Sequence, residues 1–228
     1  MLSDILLHIS SLLQLGGPVV TVIAGLSVIA LALILVKGFE FTSCRIGTSK
    51  RAAEATTLWL SGRPGEARAC LSGAKSAAEK SVLTALQLLE TRTPRDEIED
   101  HISVAATRDL HQFSKGVRAL EAIAQIAPLI GLFGTVLGMI EAFQALQSAG
   151  SNVDPSALAG GIWVALMTTA AGLGVAMPVS LVVSWLEGRL EAERVDIETL
   201  TSTLLLKQAA PAPAELRSVR EPSLSYAH

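Results

Sequence analysis

No lysine or arginine occurs in residues 1–36 or 119–188 of this 228-residue chain, although it holds 18 of them. Acidic side chains are sparse on the same ground: of 21, only Asp4, Glu121, Glu141, Asp154 and Glu187 fall in it, and Glu121 and Glu187 stand at its edges beside the two charged blocks. Charged residues make up 17% of the chain against 50% hydrophobic, far on the apolar side of an ordinary soluble domain. Other chemistry is thin as well. The four histidines, His8, His101, His111 and His228, are scattered without metal-ligand spacing, so no metal centre is expected. The two cysteines, Cys44 and Cys70, have no paired spacing and read as free thiols. There is no phosphate-binding glycine loop and no nucleophile motif, so neither an enzyme nor a cofactor is expected, and any work done must draw on an ion gradient rather than a nucleotide. A net charge of -3 gives no reason to expect nucleic-acid binding.

What the chain does have is three uncharged runs, at residues 5–36, 122–140 and 155–186. A bilayer core of about 30 Å needs about 20 helical residues, and each run supplies them. The expected fold class is an all-α integral membrane protein with three transmembrane helices. Lysine and arginine near membrane ends are retained on the cytoplasmic side, which places both charged blocks inside and the N-terminus outside. The expected order is an external N-terminus at 1–15, transmembrane helices at 16–36, 122–142 and 157–186, and an external connection at 143–156. Inside lie a helical domain at 37–121, a helix at 187–209 and a disordered tail at 210–228. The first apolar run meets Lys37 directly and has no basic residue ahead of it, so it is expected to remain as an anchor rather than act as a cleaved signal peptide.

The inner domain shows two helix breaks. In "GRPGEARACL" (Gly62 to Leu71) Pro64 falls in a first turn, where its missing amide hydrogen costs little. In "TRTPRDEIED" (Thr91 to Asp100) Thr93 is placed to cap, Pro94 to start the helix, and acidic side chains follow near the positive end of its dipole. Beyond it, Ile98, Ile102, Ala105, Phe113, Val117, Leu120 and Ala124 keep near-heptad spacing up to the second span. That helix is expected to run unbroken from deep in the cytoplasm into the bilayer. Leu186, Leu190, Ile197, Leu200 and Leu204 continue the third span in the same way, with Glu193 interrupting the seam.

The second span reads "PLIGLFGTVLGM" (Pro128 to Met139), with glycines at 131, 134 and 138. Each is a poor helix former in water. In lipid, however, helices associate by close packing, and Gly131, Gly134 and Gly138 form a surface that a neighbouring backbone can approach. The third span, "GIWVALMTTAAGLGVAMP" (Gly161 to Pro178), repeats the pattern with Ala165, Thr168 or Thr169, Gly172 and Ala176. Two faces of this kind suggest a multi-helix assembly.

The stretches "PLIGLFGTVLGMIEAF" and "GIWVALMTTAAGLGVAMPV" closely resemble the second and third membrane helices of the ExbB, TolQ and MotA family of ion-driven motor proteins, nearest to ExbB and TolQ. The resemblance implies a bacterial inner-membrane protein with periplasmic N-terminus and cytoplasmic C-terminus, assembled as a homo-oligomeric, pentameric ring. It further implies an ExbD-like single-span partner carrying an intramembrane Asp inside the ring, and a TonB-like transducer that receives the work. Thr135 and Thr169 fall on the family's pore threonines, and Thr168 beside them joins the set of pore hydroxyls with packing as its main expected role. Where ExbB and TolQ commonly carry a Glu, this chain has Val164, so an intramembrane proton carrier is expected to come from the partner. Three other readings stand beside an ExbB-like proton channel: a TolQ-like subunit serving envelope integrity, a sodium-driven version, and a scaffold that conducts nothing.

Overall fold

The computed structural model describes residues 17–149 and 155–209. The expected segments 1–15 and 210–228 lie outside the described residues. Six helices are present among those described: α1 (Gly17–Ser43), α2 (Lys50–Leu60), α3 (Pro64–Cys70), α4 (Ala77–Glu90), α5 (Arg95–Ala149) and α6 (Pro155–Ala209). Three of them, α1, α5 and α6, contain stretches long and apolar enough to cross a membrane. Helices α5 and α6 have 55 residues each, about 80 Å end to end. They lie antiparallel in the most extensive contact of the fold. Much of the expected external connection at 143–156 is helical, because α5 runs on to Ala149 and α6 begins at Pro155. Pro128 and Pro178 sit inside these two helices without ending them.

The long seam follows the predicted periodicity with shifts at Ala105 and at Ala124, which is half-buried beside the buried Ile123. Ile98, Ile102, Phe113, Val117 and Leu120 are buried, whereas Ala105 is exposed and its neighbour Ala106 is buried instead. Ala106 follows Ile102 by four residues, a spacing that keeps to one face of a helix as a three-residue step does. On α6, Leu186, Ile197 and Leu204 are buried. The short helices α2, α3 and α4 close over the far end of this pair and share one core with it, built from Ala52, Ala55, Leu71, Val82, Leu86, Ile98, Ile197 and Leu204. A second core, at the end of α1 that leads into the short helices, joins α1 to the pair through Phe41, Ile46, Phe113, Leu120, Val183 and Leu186. Within it the rings of Phe41 and Phe113 meet edge to face at 6.4 Å.

Local chemistry fixes the short helices. Pro64 occupies the first turn of α3. Ser76 caps α4 by accepting from the Glu79 amide at 3.1 Å. Helix α2 ends with Gly62 at φ 82°, and α4 ends with Arg92 at φ 56°, each turn closed by backbone bonds back to the last helical carbonyls. At the start of α5 the helix begins at Arg95 rather than Pro94, and the Thr93 hydroxyl lies 2.9 Å from that of Thr91.

Three charged groups are taken inside. Lys37 is buried at the end of the first span, paired with Glu40 at 2.6 Å and donating to the Phe113 carbonyl at 3.3 Å. Gly116 makes room for it, since a β-carbon there would strike the Lys37 side chain. Glu79 is buried on α4, where it accepts from the Lys75 amide at 2.9 Å and faces Arg51 at 3.5 Å. Glu193 has no exposed surface at all. Its two oxygens accept from the amides of Gly47 and Ala78, each at 2.7 Å, so one α6 carboxylate ties the α1–α2 turn and the first turn of α4 to the long helix pair. Cys70 is half-buried against α2, with its thiol 3.6 Å from the Arg51 carbonyl. Burial pushes that thiol above its ordinary range, and the negative charge of Glu54 adds to the effect while Arg51 opposes it.

Candidate functional site: the glycine and threonine seam

The small residues of the second and third spans meet each other. A β-carbon added at Gly131 would lie 2.9 Å from the Thr168 carbonyl oxygen and 3.0 Å from the Thr169 Cα. One at Gly172 would lie 2.6 Å from the Ala127 carbonyl oxygen, and one at Gly138 would lie 3.0 Å from the Ala165 Cβ. Helices α5 and α6 therefore touch backbone to backbone over this stretch, a separation that only glycine permits. Gly134 faces the Thr168 side chain and also Val19 of α1, which closes the seam from the third side.

Hydroxyls are gathered at the closest point. Thr168 is 2% exposed, and its Oγ1 lies 2.7 Å from the Ala165 carbonyl and 3.2 Å from the Gly131 carbonyl across the seam. Thr169 is half-buried and donates to the same Gly131 carbonyl at 3.1 Å. Thr135 sits one helical turn beyond Gly131 on α5, but its hydroxyl turns back to the Leu132 carbonyl at 2.6 Å. It lines a shallow groove with Val136, Met139, Ile140 and Phe143. The structure thus joins Thr168 and Thr169 through one carbonyl and leaves the Thr135 hydroxyl bonded within its own helix. Val164 is half-buried one turn before Thr168.

The seam extends further than the predicted stripe. A β-carbon on Gly161 would lie 2.6 Å from the Ala142 Cβ, so the close approach continues one more turn on each helix. The signal was present in the sequence: Gly161, Ala165, Thr168, Gly172 and Ala176 keep one three-to-four-residue spacing. Around the seam, the other faces of the two helices expose large apolar side chains, among them Leu129, Phe133, Trp163, Leu166 and Leu181. No ionisable side chain lies between Glu121 and Glu141 on α5, or from Pro155 to Leu186 on α6.

These features define an α-helical integral membrane protein with a backbone-close, hydroxyl-bearing contact between its second and third spans. The chain belongs to the MotA/TolQ/ExbB proton channel family, whose model matches residues 73–199, more than half of its length. Similar proteins include an ExbB homolog of Methanothermobacter thermautotrophicus, 39% identical over 46% of this chain and 37% of that protein. Biopolymer transport protein exbB1 of Vibrio cholerae is 45% identical over 35% of each chain. The Tol-Pal system protein TolQ of Haemophilus influenzae is 36% identical over 47% of this chain and 48% of its own. The chain thus spans between about a third and a half of the length of these relatives.

Proposed function

We propose that this chain is an ExbB-like subunit of an ion-driven motor in the bacterial inner membrane, with its N-terminus periplasmic and its C-terminus cytoplasmic. In this reading it forms a homo-oligomeric, pentameric ring around the spans of an ExbD-like partner and passes the proton motive force to a TonB-like transducer. It performs no catalysis of its own. The observation that carries the reading is the Thr168, Thr169 and Gly131 cluster in a pair of spans that hold no ionisable group. Hydroxyls there exchange hydrogen bonds with a carboxyl brought by the partner, and the proton rides on that carboxyl. The likeness to TolQ supports a second reading, in which the same device serves envelope integrity.

The test is ion flux in liposomes holding the chain purified together with a co-expressed single-span partner. Thr135→Val and Thr169→Val keep shape and remove the hydroxyl, so assembly should survive while proton flux falls at least tenfold, roughly the effect of about 1.4 kcal/mol on a barrier. Full flux in both variants takes the two hydroxyls out of the ion path and leaves the reading without its main support, sodium flux without proton flux replaces the ion, and no flux in the unmodified complex leaves a scaffold. Genes for a TonB-type or a Tol-type transducer beside this one separate the two clients.

A further inference from the structure

We propose that Thr168 is a positioning residue for ion transfer: its buried hydroxyl takes over the Gly131 carbonyl when the Thr169 hydroxyl leaves that carbonyl to donate to an ionised carboxylate. This rests on the proposed channel function and adds a role for a residue expected mainly to pack. Hydrogen counting sets the constraint. A threonine hydroxyl has one hydrogen to give and two lone pairs to offer. In the structure the Thr169 hydrogen is given to the Gly131 carbonyl at 3.1 Å, so Thr169 presents only lone pairs to anything beside it. Lone pairs suit a protonated carboxyl, which has a hydrogen to donate. An ionised carboxylate accepts only, so to be held by Thr169 it must draw that hydrogen off Gly131.

The Gly131 carbonyl keeps its backbone partner within α5, but when Thr169 turns away the hydrogen bond that crosses from α6 to α5 is lost, and the Thr168 position supplies a replacement. Its Oγ1 already lies 3.2 Å from the Gly131 oxygen and 2.7 Å from the Ala165 oxygen. Rotation of the hydroxyl hydrogen alone moves the bond from Ala165 to Gly131, with no shift of heavy atoms. The Ala165 carbonyl lies within continuous helix and keeps its backbone partner. Thr168 thus lowers the cost of the state in which Thr169 serves the anion. No titratable side chain of the helices packed here competes: there is none between Gly17 and Lys37 on α1, between Glu121 and Glu141 on α5, or between Pro155 and Glu187 on α6.

The experiment compares proton flux against pH for the co-purified complex in liposomes, with unmodified chain, Thr168→Val, Thr168→Ala, Thr168→Ser and Thr169→Val. Without the Thr168 hydroxyl, the seam favours the protonated partner, so the pH midpoint of flux should rise by roughly one unit, the span of one ordinary hydrogen bond. Serine restores the hydroxyl and should return the midpoint. A structural readout accompanies it: labelling glycine carbonyls with 13C and leucine amides with 15N isolates the Gly25–Leu26, Gly131–Leu132 and Gly172–Leu173 pairs by NMR. The Gly131 carbonyl shift should respond to pH in the unmodified complex and lose part of that response in Thr168→Val. An intact Thr168→Val complex with an unmoved midpoint overturns the proposal, while loss of flux in Thr169→Val still supports the channel. If Thr169→Val also conducts normally, the Thr169 hydroxyl has no part in the ion path and the proposal falls. If Thr168→Val and Thr168→Ala both dissociate the assembly, Thr168 is a packing residue and the proposal is wrong.

Discussion

Replacing Glu193 with leucine should loosen the short helices α2 to α4 from the long helix pair without unfolding the spans. The carboxylate is fully buried and accepts two amide hydrogens at 2.7 Å, from Gly47 and Ala78. Hydrogen bonds to a charged acceptor contribute about 1.5–3 kcal/mol each. Ala78 lies in the first turn of α4, where the helix dipole adds to the attraction. Leucine fills the volume but leaves both amides buried without an acceptor, and relief of the carboxylate's own desolvation offsets part of the loss. The net cost should be about 3–5 kcal/mol, the range found when one member of a buried charged contact is removed. Glutamine should cost less, about 2 kcal/mol, because its carbonyl oxygen still accepts from one amide while its NH2 group opposes the other donor. The assay is amide hydrogen exchange in detergent, read at Gly47 and Ala78 with seam residues such as Thr168 as internal reference. At 1.4 kcal/mol per factor of ten, exchange at both amides should accelerate at least a hundredfold in Glu193→Leu and about tenfold or more at one of them in Glu193→Gln. Unchanged exchange at both sites in both variants would refute the reasoning, since it would mean that the two bonds hold nothing in place.

Gly172→Ala should push α5 and α6 apart and cost about 1–3 kcal/mol, because its β-carbon meets the Ala127 backbone at 2.6 Å; thermal stability of the assembly in detergent measures it, and Gly174→Ala, with nothing within 4 Å, should have little effect on packing. Val164→Glu should be tolerated if the half-buried edge beside Thr168 borders a hydrated route, with oligomer size preserved in detergent; collapse to monomers would show a dry structural contact there. In intact spheroplasts Cys44 and Cys70 should resist a membrane-impermeant thiol reagent and react after lysis, and labelling of either before lysis would reverse the orientation. After lysis, Cys70 should alkylate slowly at neutral pH and accelerate only above the range of a free thiol, since a raised thiol pKa leaves less thiolate at a given pH.

The parts of this fold that depend on one helix at a time were legible in the sequence. Burial of Ile98, Ile102, Phe113, Val117 and Leu120 follows from spacing, because a helix repeats its own face whatever packs against it. The close approach at Gly131 and Gly172 was legible for a related reason: two stripes of small residues in two spans have few other uses in lipid. Contacts made by a polar side chain with a distant backbone were not. Glu193 reads as a flaw in an apolar seam because its partners, the amides of Gly47 and Ala78, lie 146 and 115 residues away and belong to residues that carry no polar side chain. Lys37 reads as the first charge outside the membrane, and only the space left by Gly116 shows that it turns inward.

The threonines divide along the same line. Motif likeness selects Thr135 and Thr169, and it does so by residue type at a position in a helix. Which carbonyl each hydroxyl finds depends on how the two helices are rotated, and the rotation is set by glycines that remove the β-carbons between them. With Gly131 and Gly172 in contact, the two consecutive threonines of α6 point at a single α5 oxygen, Thr168 from the buried side and Thr169 from the half-open side. Thr135, on the α5 side of the same turn, has no such carbonyl opposite and bonds to Leu132 instead. A rotation of α6 against α5 therefore breaks or exchanges the bonds at Gly131, whereas the Thr135 bond lies within α5 and does not cross between the helices. In the proposed channel, the carbonyl of Gly131 is therefore the point at which a change of protonation on a partner carboxyl beside Thr169 reaches the helix pair as a change in packing.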